Sequence, residues 1–441
     1  MRRIVLSLFL IALSLFADSV AFTTAAKSEK FADDFPSDVA SSWFELLYNV
    51  VKDERTTPPP ASRIYGITAV ALYESIVSGA EANQSLVGQL NGLVAVPQPE
   101  KKKLHWPTVA NTVLAGTIRG LFQNLSAVSL GNINSLELSF STLYQDSVPK
   151  KEYERSVSHG EAVASAILSW ASGDGFAIYN NCPYVPVAVP GAWQPTPPAF
   201  NPNPLQPCWG SIRPMILTSG GECPPPVHPA FSTDSASVFY AAALEVYNVG
   251  LGLTAEQKTI ADYWSDGPVA TGTPPGHWIA IASQIARNDR LSLVAAAEAY
   301  ARVGIAVHDA VIACWNAKYA YNLQRPVTYI RQNINANWSS YIVTPAFPTY
   351  TSGHSTLSGA AASALTSMFG TKRFTDTTHT DHALVPPQQP RTFNSFDEAA
   401  TEAALSRLYG GIHFAFDNNN GFACGQCIGQ KIQERVSFRN E

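Results

Sequence analysis

The chain has 441 residues, of which 46% are hydrophobic and only 14% charged, with a formal net charge of −5. That length supports one large domain or two to three ordinary ones, each with an ample core. The slight acidic balance and the absence of a basic run exclude nucleic acid as the main partner.

The chain begins "MRRIVLSLFLIALSLFADSVAF". Arg2 and Arg3 precede an apolar run over residues 4–16, and Ser19-Val20-Ala21 offers a cleavage site, the pattern of a secretory signal peptide over residues 1–21. This predicts a secreted or periplasmic protein. The run is too short for an ordinary membrane span and no later stretch reaches the needed length, so no stable span is expected.

Apolar residues then recur near a 3.6 period over 38–53, 61–80, 107–123, 133–145 and 151–172. They predict an N-terminal helical bundle within residues 22–176. Residues 177–230 are crowded with proline, which stops helices, yet carry aromatics and cysteines that argue for an ordered excursion over the helices. A second helical set follows at about 235–250, 254–265, 278–289, 292–322, 353–369, 395–409 and 418–437, giving a C-terminal bundle over 231–441. No alternation of period two persists long enough for a major sheet. The expected fold is all-α: two packed helical bundles in one continuous domain.

Six cysteines suit an oxidising compartment. Cys182, Cys208 and Cys223 lie in the proline-rich stretch, and Cys314 lies in an apolar helical pattern. Cys424 and Cys427 form "CGQC", read as a structural disulfide or a reduced pair because no βαβ pattern or second CxxC accompanies it.

Three C-terminal segments concentrate unusual polar residues. In "WNAKYAYNLQRP", Lys318 and Arg325 are seven residues apart, nearly two helical turns, so both are expected on one helix face that Pro326 then ends. No acidic residue accompanies them, so an anion must come from elsewhere. In "YTSGHSTLSGAAASALTSMFG", a helix is expected from about Gly353, placing Ser352 at its cap and His354 in its first turn, where free N–H groups favour an anion. In "SRLYGGIHFAFD", Gly410 and Gly411 let the chain reverse between Arg407 and His413. Three cations, a helix N-terminus with a hydroxyl and two imidazoles together suit an oxyanion. Arginine forks bind its oxygens in pairs, lysine acts as a point charge, and the histidines serve as ligand or nucleophile and as acid–base.

The ordered pattern Lys318…Arg325-Pro326, Ser352-Gly353-His354 and Ser406-Arg407…His413 resembles that of the vanadium-dependent haloperoxidases and the type 2 phosphatidic acid phosphatases, over roughly residues 260–425. In the haloperoxidase branch the resemblance implies a vanadate cofactor with His413 as axial vanadium ligand. Lys318, Arg325, Ser352, Gly353 and Arg407 would then hold the vanadate oxygens, and His354 would serve as acid–base where peroxide binds. The implied activity is oxidation of halide, iodide or bromide, by hydrogen peroxide, with small organic acceptors able to take up the product. The alternative is a soluble acid phosphatase in which His413 is the nucleophile. Trp315 and Phe347 resemble halide-pocket residues, and "TPPGHW" at 273–278 and "FAFDNNNG" at 414–421 resemble exported haloperoxidase-like proteins; the chain as a whole resembles bacterial iodoperoxidase-like enzymes. Two departures are Thr351, where the usual residue is Pro and a looser turn is expected, and Asn316, where some relatives carry Asp and the charge around the cations would change.

Three other histidine positions are weighed. "HTDH" at 379–382 reads as a solvated polar loop, His277 and Trp278 as pocket lining or a helix cap, and His308 as a core histidine.

Overall fold

The structure is a computed structural model, and it describes residues 31–100 and 102–440. The expected signal peptide lies outside the described residues. Five long helices come first: α1 (Asp38–Asp53), α2 (Pro58–Ile76), α3 (Trp106–Leu121), α4 (Ala127–Gln145) and α5 (Lys150–Ser172), followed by the single turn α6 (Phe176–Tyr179). After the proline-rich stretch come α7 (Val238–Leu251), α8 (Ala255–Tyr263), α9 (Thr273–Asn288), α10 (Leu293–Tyr321), α11 (Pro326–Asn333) and α12 (Gly353–Phe369). The chain closes with α13 (Thr378–Asp381), α14 (Phe396–Tyr409) and α15 (Ala415–Arg435). The strands among the described residues are β1 (Phe374–Asp376) and β2 (Arg391–Phe393), an antiparallel pair with Phe374 opposite Phe393.

Local chemistry sets the helix starts. Serine side chains cap α4, α7, α10, α12 and α14 from Ser126, Ser237, Ser292, Ser352 and Ser395. Prolines sit in the first turn of α2, α3, α9 and α11, where a missing N–H costs nothing. Pro326 therefore opens α11 and does not end α10, which stops earlier at Asn322 in a left-handed conformation. Lys318 and Arg325 thus do not share a helix face.

The α10 helix is apolar on nearly every side and buried over most of its length, the mark of a central core helix. It packs on α2 of the first bundle and on α9, α12 and α15 of the second. The α12 and α15 helices approach closely because Gly421 and Gly425 face the α12 backbone; a Cβ on Gly425 would lie 2.1 Å from the Thr356 carbonyl oxygen. This contact fixes the start of α12 against the start of α15.

The proline-rich stretch carries no long helix, yet Trp209 and Leu217 within it are buried. Disulfides join Cys182 to Cys208 and Cys223 to Cys427. The two cysteines of "CGQC" are therefore not paired with each other: Cys427 reaches a residue 204 positions earlier, and Cys424 is a buried free thiol beside the Cys223 carbonyl. Among the described residues no single helix is long and apolar enough to cross a membrane.

Candidate active site

The residues singled out in the three C-terminal segments meet in one buried cup. His413 follows the turn made by Gly410 and Gly411, where Gly411 takes φ +73°, and precedes α15. Its ring is held on both sides. Nδ1 lies 2.9 Å from Asp417 Oδ2 and 3.0 Å from Thr349 Oγ1, while Arg325 Nη1 donates to Nε2 at 3.0 Å. An arginine N–H can only donate, so Nε2 is the lone-pair nitrogen and the proton sits on Nδ1. Burial, with Arg325, Lys318, Arg407 and His354 nearby, drives the His413 pKa well below that of a free imidazole and keeps the ring neutral.

Carbonyl oxygens of Phe347, Pro348, Thr349 and Thr351 line the floor. Arg325 Nε donates to the Phe347 carbonyl at 2.7 Å, and Arg325 Nη1 also reaches the Ile412 carbonyl. Lys318 Nζ donates to the carbonyls of Pro348, Thr349 and Thr351 at 3.0, 2.9 and 2.6 Å. All three ammonium protons are thereby engaged, so Lys318 acts on the cup through its charge and position. Burial lowers its pKa. Arg407 enters from the end of α14, with Nη2 donating to the Trp264 carbonyl at 2.6 Å and Nε to Ser406 Oγ at 3.0 Å.

The third wall is the N-terminus of α12. Ser352 caps it, its N–H held by the Asp417 carbonyl and its Oγ accepting from Ser355 Oγ at 2.9 Å. The turn before it is tied and not loosened. Thr351 Oγ1 bonds Thr356 Oγ1 at 3.2 Å and reaches Cys314 Sγ, so a hydroxyl does the anchoring that a proline ring would have done. His354 is neutral for the same reasons as His413: burial and the cations Arg407 and His277 push its pKa well down.

On the apolar side Trp315 and Phe347 form a tilted pair with ring centroids 5.2 Å apart. Arg325 Cζ lies 4.8 Å and Lys318 Nζ 5.1 Å from the Phe347 centroid. Trp315 is fixed by the excursion: its Nε1 donates to the Leu205 carbonyl at 3.3 Å, and Tyr319 Oη donates to the same oxygen. Its ring also lies 3.7 Å from where a Cβ of Gly353 would stand. Asn316 does not join the cup. It is exposed, against the backbones of Gly210 and Gly220.

The donor set fits a tetrahedral oxyanion. Arg325 Nη2 and His354 Nε2 are buried and have no protein partner. An oxyanion between the cations and the α12 N-terminus would partner both.

Four participants were not marked out by the sequence. Asp417 and Thr349 orient His413, and Asp266 and Asp376 lie behind His354. Asp417 was legible, since it stands four residues after His413, in the first turn of α15; the others are brought in from distant segments. His277 neither lines the cup nor caps a helix: it sits inside α9, fully buried, between Asp266 and Asp376. In the stretch 379–382, expected to be solvated, Thr380 and Asp381 are exposed but both histidines are buried, because α13 turns them inward. His379 Nε2 bonds the Tyr263 carbonyl at 2.9 Å and His382 stacks on Tyr48 at 3.7 Å. Among the described residues no group of three or more His, Cys, Asp or Glu side chains is placed to hold a metal ion. His308 is a core histidine, as expected, with its pKa pushed down to about 4 by burial.

Residues 298–440 match the VCPO second helical-bundle domain. The structure superposes on that of a bacterial vanadium-dependent iodoperoxidase with TM-score 0.85 and 33% sequence identity, over 92% of this chain and 98% of that one. A bacterial vanadium-dependent chloroperoxidase in its holo form shares the fold at TM-score 0.65 and 17% identity, over 87% of this chain and 95% of that one. No curated protein sequence matches the chain. Identity at this level across nearly the whole length of the iodoperoxidase, on a helical scaffold that closes around one cationic cup, makes the chain a member of the vanadium-dependent haloperoxidases.

Proposed function

We propose that the protein oxidises halide with hydrogen peroxide using bound vanadate, with iodide or bromide as the halide and small organic molecules as possible acceptors. The iodoperoxidase among its structural relatives supports the halide choice. The two disulfides support action in a secreted or periplasmic setting.

One observation carries this reading. Arg325 presents an unpartnered, buried Nη2 beside the lone-pair nitrogen of His413. Bound vanadate supplies a Lewis-acid centre that polarises peroxide for attack by halide, giving a hypohalous-acid-type oxidant with no change in the metal's oxidation state. The chain's residues do the rest. His413 Nε2 would be the vanadium ligand, its lone pair directed by the Nδ1 proton held between Asp417 and Thr349 and released by Arg325 Nη1, which donates to it here. Arg325, Arg407, Ser352 and the Gly353 N–H would then hold the oxygens, and Lys318 would neutralise their charge. His354 Nε2, buried and unpartnered, takes and returns the proton of peroxide. Trp315 and Phe347 keep water from the halide side.

Purified protein supplied with vanadate, peroxide and each halide in turn tests this. Halide oxidation that appears only with vanadate is the expected result. Hydrolysis of a phosphate monoester, inhibited by vanadate and without halide oxidation, would overturn it in favour of the phosphatase.

A further inference from the structure

Behind His354 lies a chain of charge that the cup does not explain. His277 Nδ1 is 3.0 Å from both oxygens of Asp266, and its Nε2 is 2.7 Å from Asp376 Oδ2. An ionised carboxylate only accepts, so both ring nitrogens must donate and His277 is an imidazolium. Its pKa is correspondingly raised to about 10, the two carboxylates outweighing complete burial. The rest of its surroundings add no competing anion: Trp264 stacks on the ring at 4.4 Å, with Tyr263 and the neutral His379 beyond. Asp376 is itself held from behind by the N–H and hydroxyl of Thr378 at 2.9 and 2.6 Å and by Gln284.

The other end of the chain points at the site. Asp266 Oδ2 lies 3.9 Å from His354 Nε2, and the Asp266 charge also acts on Arg407. That separation is too long for a hydrogen bond, yet short enough for the carboxylate to offset part of the repulsion that Arg407, His277 and Lys318 exert on a protonated imidazole. The segment that carries Asp266 is strained. Asp266, Val269 and Thr273, the last being the first residue of α9, take φ of +45°, +79° and +68°. Two of the three are β-branched, and such residues persist at positive φ only where their surroundings over-determine them.

We propose that His277 is a positioning residue: clamped as a cation between Asp376 and Asp266, it fixes the Asp266 carboxylate at a distance from His354 that stabilises the protonated imidazole without capturing its proton. The proton His354 receives from peroxide thus stays on Nε2, free to leave again. This rests on the role given to His354 above, so its test has one arm independent of turnover. In ¹⁵N-histidine NMR of the protein without vanadate at pH 8, one doubly protonated ring is expected, absent from His277→Gln; a neutral His277 would overturn the proposal. The second arm is a kinetic double-mutant cycle on the vanadate-loaded enzyme. His277→Gln alone is expected to lower kcat by about 10- to 100-fold, part of what a positioned acid–base group supplies, with halide KM within about twofold. In an Asp266→Ala background the same change is expected to cost little further. Equal losses in both backgrounds would sink the idea. Should His277→Gln fail to fold, Asp376→Asn removes the rear carboxylate and carries the same expectations. If the wild-type protein oxidised no halide, the proposed function would fall while the NMR result would still report on the clamp.

Discussion

Arg325 Nη1 and His413 Nε2 lie 3.0 Å apart, guanidinium donor to imidazole acceptor, with Asp417 Oδ2 2.9 Å from the ring's far nitrogen. The pair aligns three groups on one axis: a carboxylate that fixes the tautomer, a ring, and a cation marking where negative charge belongs.

Asp417 sets that axis. It accepts from the Phe414 N–H at 3.1 Å and from Thr349 as well as facing His413. Asp417→Ala is expected to weaken vanadate binding by about 10- to 100-fold, as loss of a group that orients a metal-bound histidine does. Equilibrium dialysis with vanadium analysis measures this, and unchanged affinity would contradict the role.

The two site histidines are expected to separate binding from chemistry. His413→Ala should abolish vanadate retention. His354→Ala should retain vanadate while turnover falls by about 10²–10⁴-fold. Intact vanadate-dependent turnover in His413→Ala would mean that another atom is the ligand.

Stability is expected to fall on both sides of neutrality. The folded-state pKa of His277 is raised from 6.5 to about 10 by Asp266 and Asp376 against the opposing effect of burial, so its contribution is complete below pH 6.5 and disappears as pH rises towards 10. Burial depresses the pKa of His382 from 6.5 to about 3, so its contribution is present above pH 6.5 and is lost as pH falls towards 3. Urea midpoints from pH 4 to 10 would show the dome, and His277→Gln should flatten its alkaline side.

Gly425→Ala tests the coupling of α12 to α15. The new methyl group would meet the Thr356 carbonyl oxygen at 2.1 Å and the Ala360 nitrogen at 2.9 Å. Overpacking of this kind costs about 1–3 kcal/mol. Because the same contact seats Ser352 and Gly353, vanadate affinity should drop together with the melting temperature.

The Cys223–Cys427 disulfide closes a sequence separation of 204 residues. Its removal in a Cys223→Ser/Cys427→Ser double variant is expected to cost about 2–5 kcal/mol, read from denaturant unfolding. Both cysteines change so that neither is left as an unpaired thiol.

What the sequence determined was local. Serine caps, first-turn prolines and a 3.6-residue period are short-range effects, and they placed the ends of α1, α12 and α14 within a residue of where the structure has them. The three polar segments were legible for the same reason: each is a helix end, and a helix end advertises itself in the few residues around it. Tertiary structure decided the rest. His277 meets Asp376 across a sequence separation of 99, and Cys427 bonds Cys223 rather than its neighbour. Such partners are chosen by packing, through distances that no local pattern encodes. Burial decides protonation in the same way: "HTDH" reads as polar surface until α13 folds it onto Tyr48 and Tyr263, where the cost of desolvating a charge keeps both rings neutral.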